Sequence, residues 1–176
     1  MALFDCHKKI FTLWLTGLPC SGKTTLAKRL KQELDARGLR TVHLDADELR
    51  HQLNADLGFS TEDRKENMRR SAHVAKIFNQ NGNFVVASYV SPTDAYRAMV
   101  RDIIGAFTLV FVKCGISSCE ARDVKGMYKL ARTGEIKDFT GVSAPFEEPA
   151  DADIVVDTEH SSIEECVQKI LIKINA

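Results

Sequence analysis

One eight-residue stretch constrains the fold of this chain more than any other. Gly17-Leu-Pro-Cys-Ser-Gly-Lys-Thr24 has the spacing G-x-x-x-x-G-K-T. It follows the apolar run 10–16 and precedes apolar residues at helical spacing, so a strand–loop–helix unit is predicted. In such a unit the glycines let backbone N–H groups surround phosphate oxygens, and the helix N-terminus adds partial positive charge. The stretch therefore predicts a nucleoside triphosphate site.

The residue types in this loop suggest how contacts with a triphosphate are divided. Lys23 is expected to reach the β- and γ-phosphates, and Thr24 to offer its hydroxyl to Mg²⁺. Cys20 lies close to a helix N-terminus and a lysine, which favours a thiolate; the alternative is a small filler residue facing away from the phosphates. The expected ATP contacts are Gly17, Leu18, Pro19, Cys20, Ser21, Gly22, Lys23, Thr24 and Thr25.

Composition indicates one compact soluble domain spanning residues 1–176. Lys+Arg and Asp+Glu are both 24, so no overall charge favours nucleic acid or a membrane surface. No apolar run approaches the ~20 residues of a membrane span, and residues 1–9 lack the apolar core of a signal peptide. The five cysteines, Cys6 among them, are odd in number and show no C-x-x-C pair, which favours reduced thiols in the cytoplasm.

Predicted strands and helices alternate along the chain. The pattern predicts an α/β fold with a five-stranded parallel sheet and helices on both faces. Residues 123–149 are rich in charge and glycine with little apolar periodicity, so we expect a mobile lid there. The predicted strands are 10–16, 40–44, 83–90, 107–112 and 153–157; the helices begin near residues 24, 47, 61, 92 and 117, with a last helix capped by Ser161 and Ser162.

Two acids follow the second predicted strand in Leu44-Asp-Ala-Asp-Glu-Leu-Arg50. The chain has no guanine-binding N-K-x-D, and the third and fourth strands do not end in an acid. Asp45 can therefore hold a magnesium-bound water while Asp47 accepts the proton of an attacking hydroxyl, although two acids could also merely cap a helix. This arrangement predicts a small-molecule kinase.

A series of segments extends the argument over almost the whole chain. In order and spacing they resemble the adenylyl-sulfate kinase (APS kinase) family: 17–24, 44–51, 56–64, 66–70, 88–92, 119–128, 134–141 and 145–149. The resemblance implies transfer of a phosphoryl group from MgATP to the 3′-hydroxyl of adenosine 5′-phosphosulfate (APS), giving 3′-phosphoadenosine 5′-phosphosulfate (PAPS) and ADP. It also implies a homodimer and a role in sulfate assimilation.

The resemblance also implies roles for individual residues. Phe59 and Phe139 match residues on either face of the substrate adenine, although Phe59 alone could be a core residue. Arg64 matches a substrate-gripping position but could instead be a solvated charge, and Ser91 matches a reported phosphoserine but could simply cap or contact substrate. Arg122 and Arg132 would lie towards ATP; the implied substrate contacts are Asp47, Arg50, Phe59, Arg64, Asn67, Val90, Ser91, Lys125, Lys137 and Phe139.

Two other functions remain open from the sequence. The same core could serve a kinase for a sugar acid or a nucleoside, against which the constellation of Phe59, Arg64 and Asn67 speaks. The chain could also be a catalytically idle nucleotide-binding paralogue. The joint presence of Lys23, Asp45 and the other expected catalytic groups counts against that.

Overall fold

The computed structural model describes residues 10–175. The predictions about residues 1–9, including Cys6, lie outside the described residues, as does Ala176. The strands are β1 Thr12–Thr16, β2 Thr41–Asp45, β3 Phe84–Ser88, β4 Phe107–Lys113 and β5 Ile154–Asp157. The helices are α1 Lys23–Ala36, α2 Ala46–His51, α3 Thr61–Gln80, α4 Asp94–Ile104, α5 Ile116–Ala121, α6 Met127–Arg132 and α7 Ile163–Lys173.

The five strands form one parallel sheet in the order β2-β3-β1-β4-β5, which confirms the predicted fold class. β1 lies in the centre and is buried along its whole length, as expected for an apolar strand covered on both faces. All strands end at the same edge of the sheet. That edge carries the phosphate-binding loop after β1, Asp45 at the end of β2 and Ser88 at the end of β3, the place where ligands bind in open parallel sheets.

Apolar side chains fill a layer on each face of the sheet. On one face α1 and α7 pack through residues such as Leu30 and Ile170 against the inward side chains of β1, β4 and β5. On the other face α3 and α4 pack through Ala72 and Val100 around Trp14. The two apolar layers hold the helices against the two faces of the sheet. The loops at its carboxyl edge therefore rest on a rigid base.

The predicted element boundaries differ from the observed ones in places that have local causes. The fourth helix begins at Asp94 rather than Pro92, because the Thr93 side chain accepts a hydrogen bond from Tyr96 N and caps the helix there. Ser162 and Glu165 form a capping box at α7, as predicted. Helix α6 was not predicted, because it lies within residues 123–149, where charge, glycine and weak apolar periodicity indicated a lid instead.

The remaining features concern a cavity, membrane spanning and the cysteines. A cavity of about 430 Å³ is bordered by Phe11, Phe107 and Ile174 near the opposite ends of the strands. Among residues 10–175, no helix has the length and apolarity needed to cross a membrane. The four cysteines in the same range, Cys20, Cys114, Cys119 and Cys166, are free thiols.

Candidate active site

The phosphate-binding loop keeps its shape through one close backbone approach and one strained residue. A Cβ on Gly17 would lie 2.5 Å from the Val112 carbonyl oxygen, so only glycine fits there. Cys20 has a φ of 62°, a left-handed conformation that costs a non-glycine residue of order 1–3 kcal/mol. Both features curl the loop in front of the first turn of α1, where backbone N–H groups are free to meet phosphate.

Lys23 folds back into this loop. Its Nζ donates hydrogen bonds to the carbonyl oxygens of Gly17 at 3.0 Å and Leu18 at 2.5 Å. Burial lowers the pKa of Lys23 from 10.5 to about 8. The loop carbonyls therefore accept the hydrogen bonds that the Lys23 ammonium group could give to a bound phosphate.

Asp45 is the centre of a buried polar network at the sheet edge. Its Oδ2 accepts hydrogen bonds from Thr24 Oγ1 at 2.8 Å and Ser88 Oγ at 2.9 Å, and Ser88 Oγ lies 3.0 Å from His43 Nε2. Burial acts to raise the pKa of the Asp45 carboxyl, but the bonds from Thr24 and Ser88 outweigh it and hold the pKa below its usual value. An ionised carboxylate beside a threonine hydroxyl is an oxygen donor set that fits Mg²⁺.

Asp47 differs from Asp45 in being open to solvent. Asp45 caps α2, because its Oδ1 accepts from the backbone N–H of Asp47 at 2.9 Å. The Asp47 side chain is 71% exposed, and its Oδ2 accepts from Lys125 Nζ at 3.1 Å. This contact raises the pKa of Lys125. Only Asp45 is thus used as a helix cap, and the Asp47 carboxylate is exposed and paired with Lys125.

Arg50 and Phe59 form a flat, exposed surface next to α2. The Arg50 guanidinium lies over the Phe59 ring, 4.6 Å from its centroid, and donates to the Gly58 carbonyl oxygen at 2.7 Å. The Phe59 ring is 68% exposed, so the alternative that it is a core residue is wrong. An exposed aromatic ring with an arginine over one face can stack on a planar base through its other face.

Arg64 connects the loop before α3 with the residues 123–149. Its Nε donates to the Phe59 carbonyl oxygen at 2.8 Å and its Nη2 to the Asp138 carbonyl oxygen at 2.7 Å. It is therefore not a freely solvated charge. Asn67, one turn further along α3, is buried and accepts from Asn54 Nδ2 at 2.8 Å.

Ser91 lies at a buried, strained turn after β3. Its Oγ accepts from Trp14 Nε1 at 2.8 Å, and its φ is 43°. The preceding carbonyl, that of Val90, accepts from Thr16 Oγ1 at 2.7 Å. Arg97 Nη1 donates to the Ser91 carbonyl oxygen at 2.7 Å. The Ser91 hydroxyl is thus held inside the fold rather than presented to solvent.

The basic residues in and just before segment 123–149, the predicted lid, differ in their distance from the phosphate-binding loop. Arg122 donates to the Thr158 carbonyl oxygen at 2.8 Å, and Thr158 Oγ1 in turn donates to the Ser21 carbonyl oxygen at 2.8 Å, so Arg122 lies beside the phosphate-binding loop. Arg132 instead pairs with Glu120 at 2.6 Å and makes no direct contact with that loop in the described part of the chain. Lys137 is exposed, as is Thr25 after the loop.

The expectation that the Cys20 thiol has a lowered pKa is wrong. Burial raises the pKa of the Cys20 thiol, and the nearby Asp123 carboxylate, with Oδ1 3.9 Å from Sγ, raises it further. Lys23 acts in the opposite direction but more weakly. Sequence proximity to a lysine and a helix N-terminus gave no indication of an acid brought in from residue 123.

Four residues at the site were not predicted from the sequence to have a role there. Ser88 lies opposite Asp45 in the β2–β3 register, a signal that becomes visible only once the strands are paired. Thr158 follows β5 and bonds the phosphate-binding loop, while Tyr128 donates from its hydroxyl to the Pro19 carbonyl oxygen at 3.0 Å. Arg97 bonds the carbonyls of both Ser91 and Glu147. None of these four belongs to a local motif with a stated mechanism.

Comparison with known proteins agrees with this geometry. A model of the family described as adenylylsulphate kinase matches residues 9–157. The adenylyl-sulfate kinase of Staphylococcus carnosus is 47% identical over 167 residues, covering 94% of this chain and 83% of the relative. That of Paraburkholderia xenovorans is 49% identical over 160 residues, covering 90% of this chain and 89% of the relative.

A solved structure supports the same assignment. The Mycobacterium tuberculosis APS kinase CysC, solved in complex with AMPPNP and APS, superposes with a TM-score of 0.92 at 38% identity. The match covers 96% of this chain and 99% of that one. Taken with the family match over most of the residues and the P-loop at the sheet edge, this similarity shows that the chain belongs to the adenylyl-sulfate kinase family of P-loop kinases.

Proposed function

We propose that this chain transfers the γ-phosphoryl group of ATP to the 3′-hydroxyl of APS, giving PAPS and ADP in sulfate assimilation. The observation that most supports this assignment is the position of α2. Its N-cap, Asp45, bonds Thr24 of the phosphate-binding loop, while Arg50 at its other end covers Phe59. Asp47 lies between these two contacts, where a phosphoryl donor and an adenine-bearing acceptor can meet.

On the donor side, the loop residues 17–25 bind the triphosphate. Lys23 leaves the carbonyls of Gly17 and Leu18 and neutralises the β- and γ-phosphates. Thr24 and Asp45 would hold Mg²⁺, which supplies charge neutralisation to the phosphate oxygens when bound. Arg122, beside the loop, contributes positive charge there, and we assign Arg132 the same role only if it leaves Glu120.

On the acceptor side, Asp47 is the proposed general base. Its carboxylate takes the proton of the 3′-hydroxyl as the oxygen forms its bond to the γ-phosphorus and the bond to the ADP oxygen breaks. The ion pair with Lys125 is exposed on both sides, so it can open when the substrate's negative groups draw the lysine away. Asp47 is then free to face the hydroxyl.

Binding of APS is proposed to use one flat surface and several charges. Phe59 and Phe139 stack on the two faces of the adenine ring. Arginine forks and lysines bind the phosphosulfate oxygens, because bidentate guanidinium groups match such anions. These groups are Arg50, Arg64, Lys125 and Lys137, with Asn67, Val90 and Ser91 completing the pocket.

Ser91 is proposed to hold the pocket in shape rather than to carry phosphate. Its hydroxyl is buried and already engaged by Trp14. A phosphoserine there would place a dianion in the apolar layer, at a large desolvation cost. In-line transfer to the substrate needs no such intermediate.

Three further proposals follow from the family. The chain is a homodimer, acts in the cytoplasm and closes residues 123–149 as a lid over the substrates. The cytoplasm is consistent with four free cysteines among the described residues. No nucleic-acid or membrane partner is proposed.

The experiment is an acceptor panel with MgATP labelled at the γ-phosphorus. The purified protein should transfer label to APS and leave gluconate and plain nucleosides unlabelled. Labelling of gluconate or a nucleoside without labelling of APS would replace this function by another P-loop kinase activity. Tight ATP binding with no transfer to any acceptor would indicate an idle paralogue.

A further inference from the structure

The outer side of the phosphate-binding loop is covered by the lid segment. Leu18 and Cys20 pack with Tyr128, Phe139 and Val142 in a small apolar cluster that is separate from the two main layers. The fit is tight, because a Cβ on Gly141 would lie 2.8 Å from Leu18 Cδ2. The loop tip and residues 123–149 are therefore in direct contact.

Three successive carbonyls of the loop are held by side chains. Lys23 binds the carbonyl oxygens of Gly17 and Leu18, and the Tyr128 hydroxyl binds that of Pro19 at 3.0 Å. A bound triphosphate would compete for Lys23 and release the first two carbonyls. The contact with Tyr128 does not involve the phosphates, so it would pass a change in the loop to residues 123–149.

Tyr128 also touches the acceptor side. Its ring meets that of Phe139 edge-on, with centroids 4.9 Å apart and an interplanar angle of 75°. Its backbone N–H donates to Asp123 Oδ2 at 2.6 Å, which fixes the start of α6. The residue is only 2% exposed, so its ring has little freedom to move independently of these neighbours.

We propose that Tyr128 is a positioning residue that couples occupation of the ATP loop to the placement of Phe139 against the adenine of APS. This inference rests on the proposed function for the identity of the two ligands. Each ligand then tightens the binding of the other by the same factor, as thermodynamic linkage requires. Loss of the Tyr128 hydroxyl removes that factor while leaving the two separate sites.

Titration calorimetry on wild type and Tyr128→Phe tests this. The dissociation constant of APS is measured alone and with magnesium and the non-hydrolysable β,γ-imido analogue of ATP, and the reverse titration checks reciprocity. We expect roughly 5-fold or more tightening in wild type, the low end of typical couplings, and a factor close to one in Tyr128→Phe. Affinity for each ligand alone should change less than about 3-fold, since phenylalanine keeps the ring.

Tyr96→Phe is the matched control, because the Tyr96 hydroxyl also donates to a backbone carbonyl, that of Thr61 at 3.1 Å, but away from the loop. It should keep the wild-type factor. An unchanged factor in Tyr128→Phe, or no coupling in wild type, would overturn the inference. Failure of APS to bind wild type at all would instead count against the proposed function.

Discussion

The two ends of the proposed site are built in different ways. At the proposed nucleotide end, Lys23, Asp45 and Ser88 are buried and Thr24 is exposed. Their polar side chains bond to one another or to the loop. At the proposed acceptor end, Arg50 and Arg64 donate to backbone carbonyls of loop residues, and Phe59 is exposed. The side chains of the first end are therefore held by hydrogen bonds within the protein, and Lys23 must exchange its partners for phosphate, whereas the second end leaves an aromatic face for its ligand to cover.

Asp47 stands between the two ends, and its substitution should have the largest effect. Asp47→Asn should lower kcat by roughly 10²–10⁴, the contribution of a general base, while the affinity for MgATP stays near wild type. Steady-state kinetics with APS and ATP titrations measure both. Glu48→Gln, the neighbouring exposed acid, is the control and should keep its turnover. A near-normal kcat in Asp47→Asn would remove the base role from this residue.

Arg64 sharpens the comparison because it belongs to the acceptor end alone. Arg64→Ala loses the guanidinium that bonds the Phe59 and Asp138 carbonyl oxygens. Losing the equivalent of one charged hydrogen bond in APS binding, about 1.5–3 kcal/mol, should raise the KM for APS roughly 10–100-fold. The KM for ATP should stay unchanged. Arg69→Ala, which removes an exposed ion pair with Glu66 on the same helix, is the matched control. Equal losses for both substrates would show that the two ends are not separable.

Lys23 gives the nucleotide end a pH dependence. In the free protein burial holds its pKa at about 8, below its ordinary value, so the ammonium is lost as pH rises through 8. Bound phosphates favour the charged form, so ATP affinity should fall above pH 8 by up to about tenfold per pH unit. Calorimetry from pH 7 to 9.5 measures this slope, and Lys23→Met should lack it. The same slope in both proteins would assign the titration to another group.

Ser91 should show the smallest effect on catalysis. Ser91→Ala removes the acceptor of the buried Trp14 Nε1, so the free energy of unfolding should fall by about 1–3 kcal/mol. Turnover should stay within roughly tenfold of wild type, since the hydroxyl takes no part in transfer. Chemical denaturation and steady-state kinetics measure the two effects. Complete loss of turnover in a folded variant that still binds APS would revive the phosphoserine route.

The sequence predicted the nucleotide end better than the acceptor end for a physical reason. Gly17 to Thr24 are contiguous, and each residue type has a local mechanism. Spacing alone therefore predicted Lys23 and Thr24 at the start of the helix that follows the first strand. Strand and helix periodicity also sufficed for the parallel sheet. Its strand order depended on tertiary pairing that no local pattern contains.

The acceptor end depends on contacts between distant parts of the chain. Arg64 meets Asp138, and Lys125 meets Asp47, across more than 70 residues in both cases. From the sequence, only the resemblance to the family indicated that these segments belong to one site. The same distance explains the error over Cys20, whose pKa is raised by burial and by an acid from the lid.

We propose that the nucleotide end delivers a phosphoryl group to one hydroxyl held by the acceptor end. The most direct measurement is to incubate the protein with MgATP and either APS or its 3′-deoxy analogue, and to follow ADP release and the phosphorus NMR spectrum of the product. We predict a 3′-phosphate from APS and no ADP above the acceptor-free rate with the 3′-deoxy analogue. A phosphate at the 2′ position, or turnover of the 3′-deoxy analogue, would contradict the account.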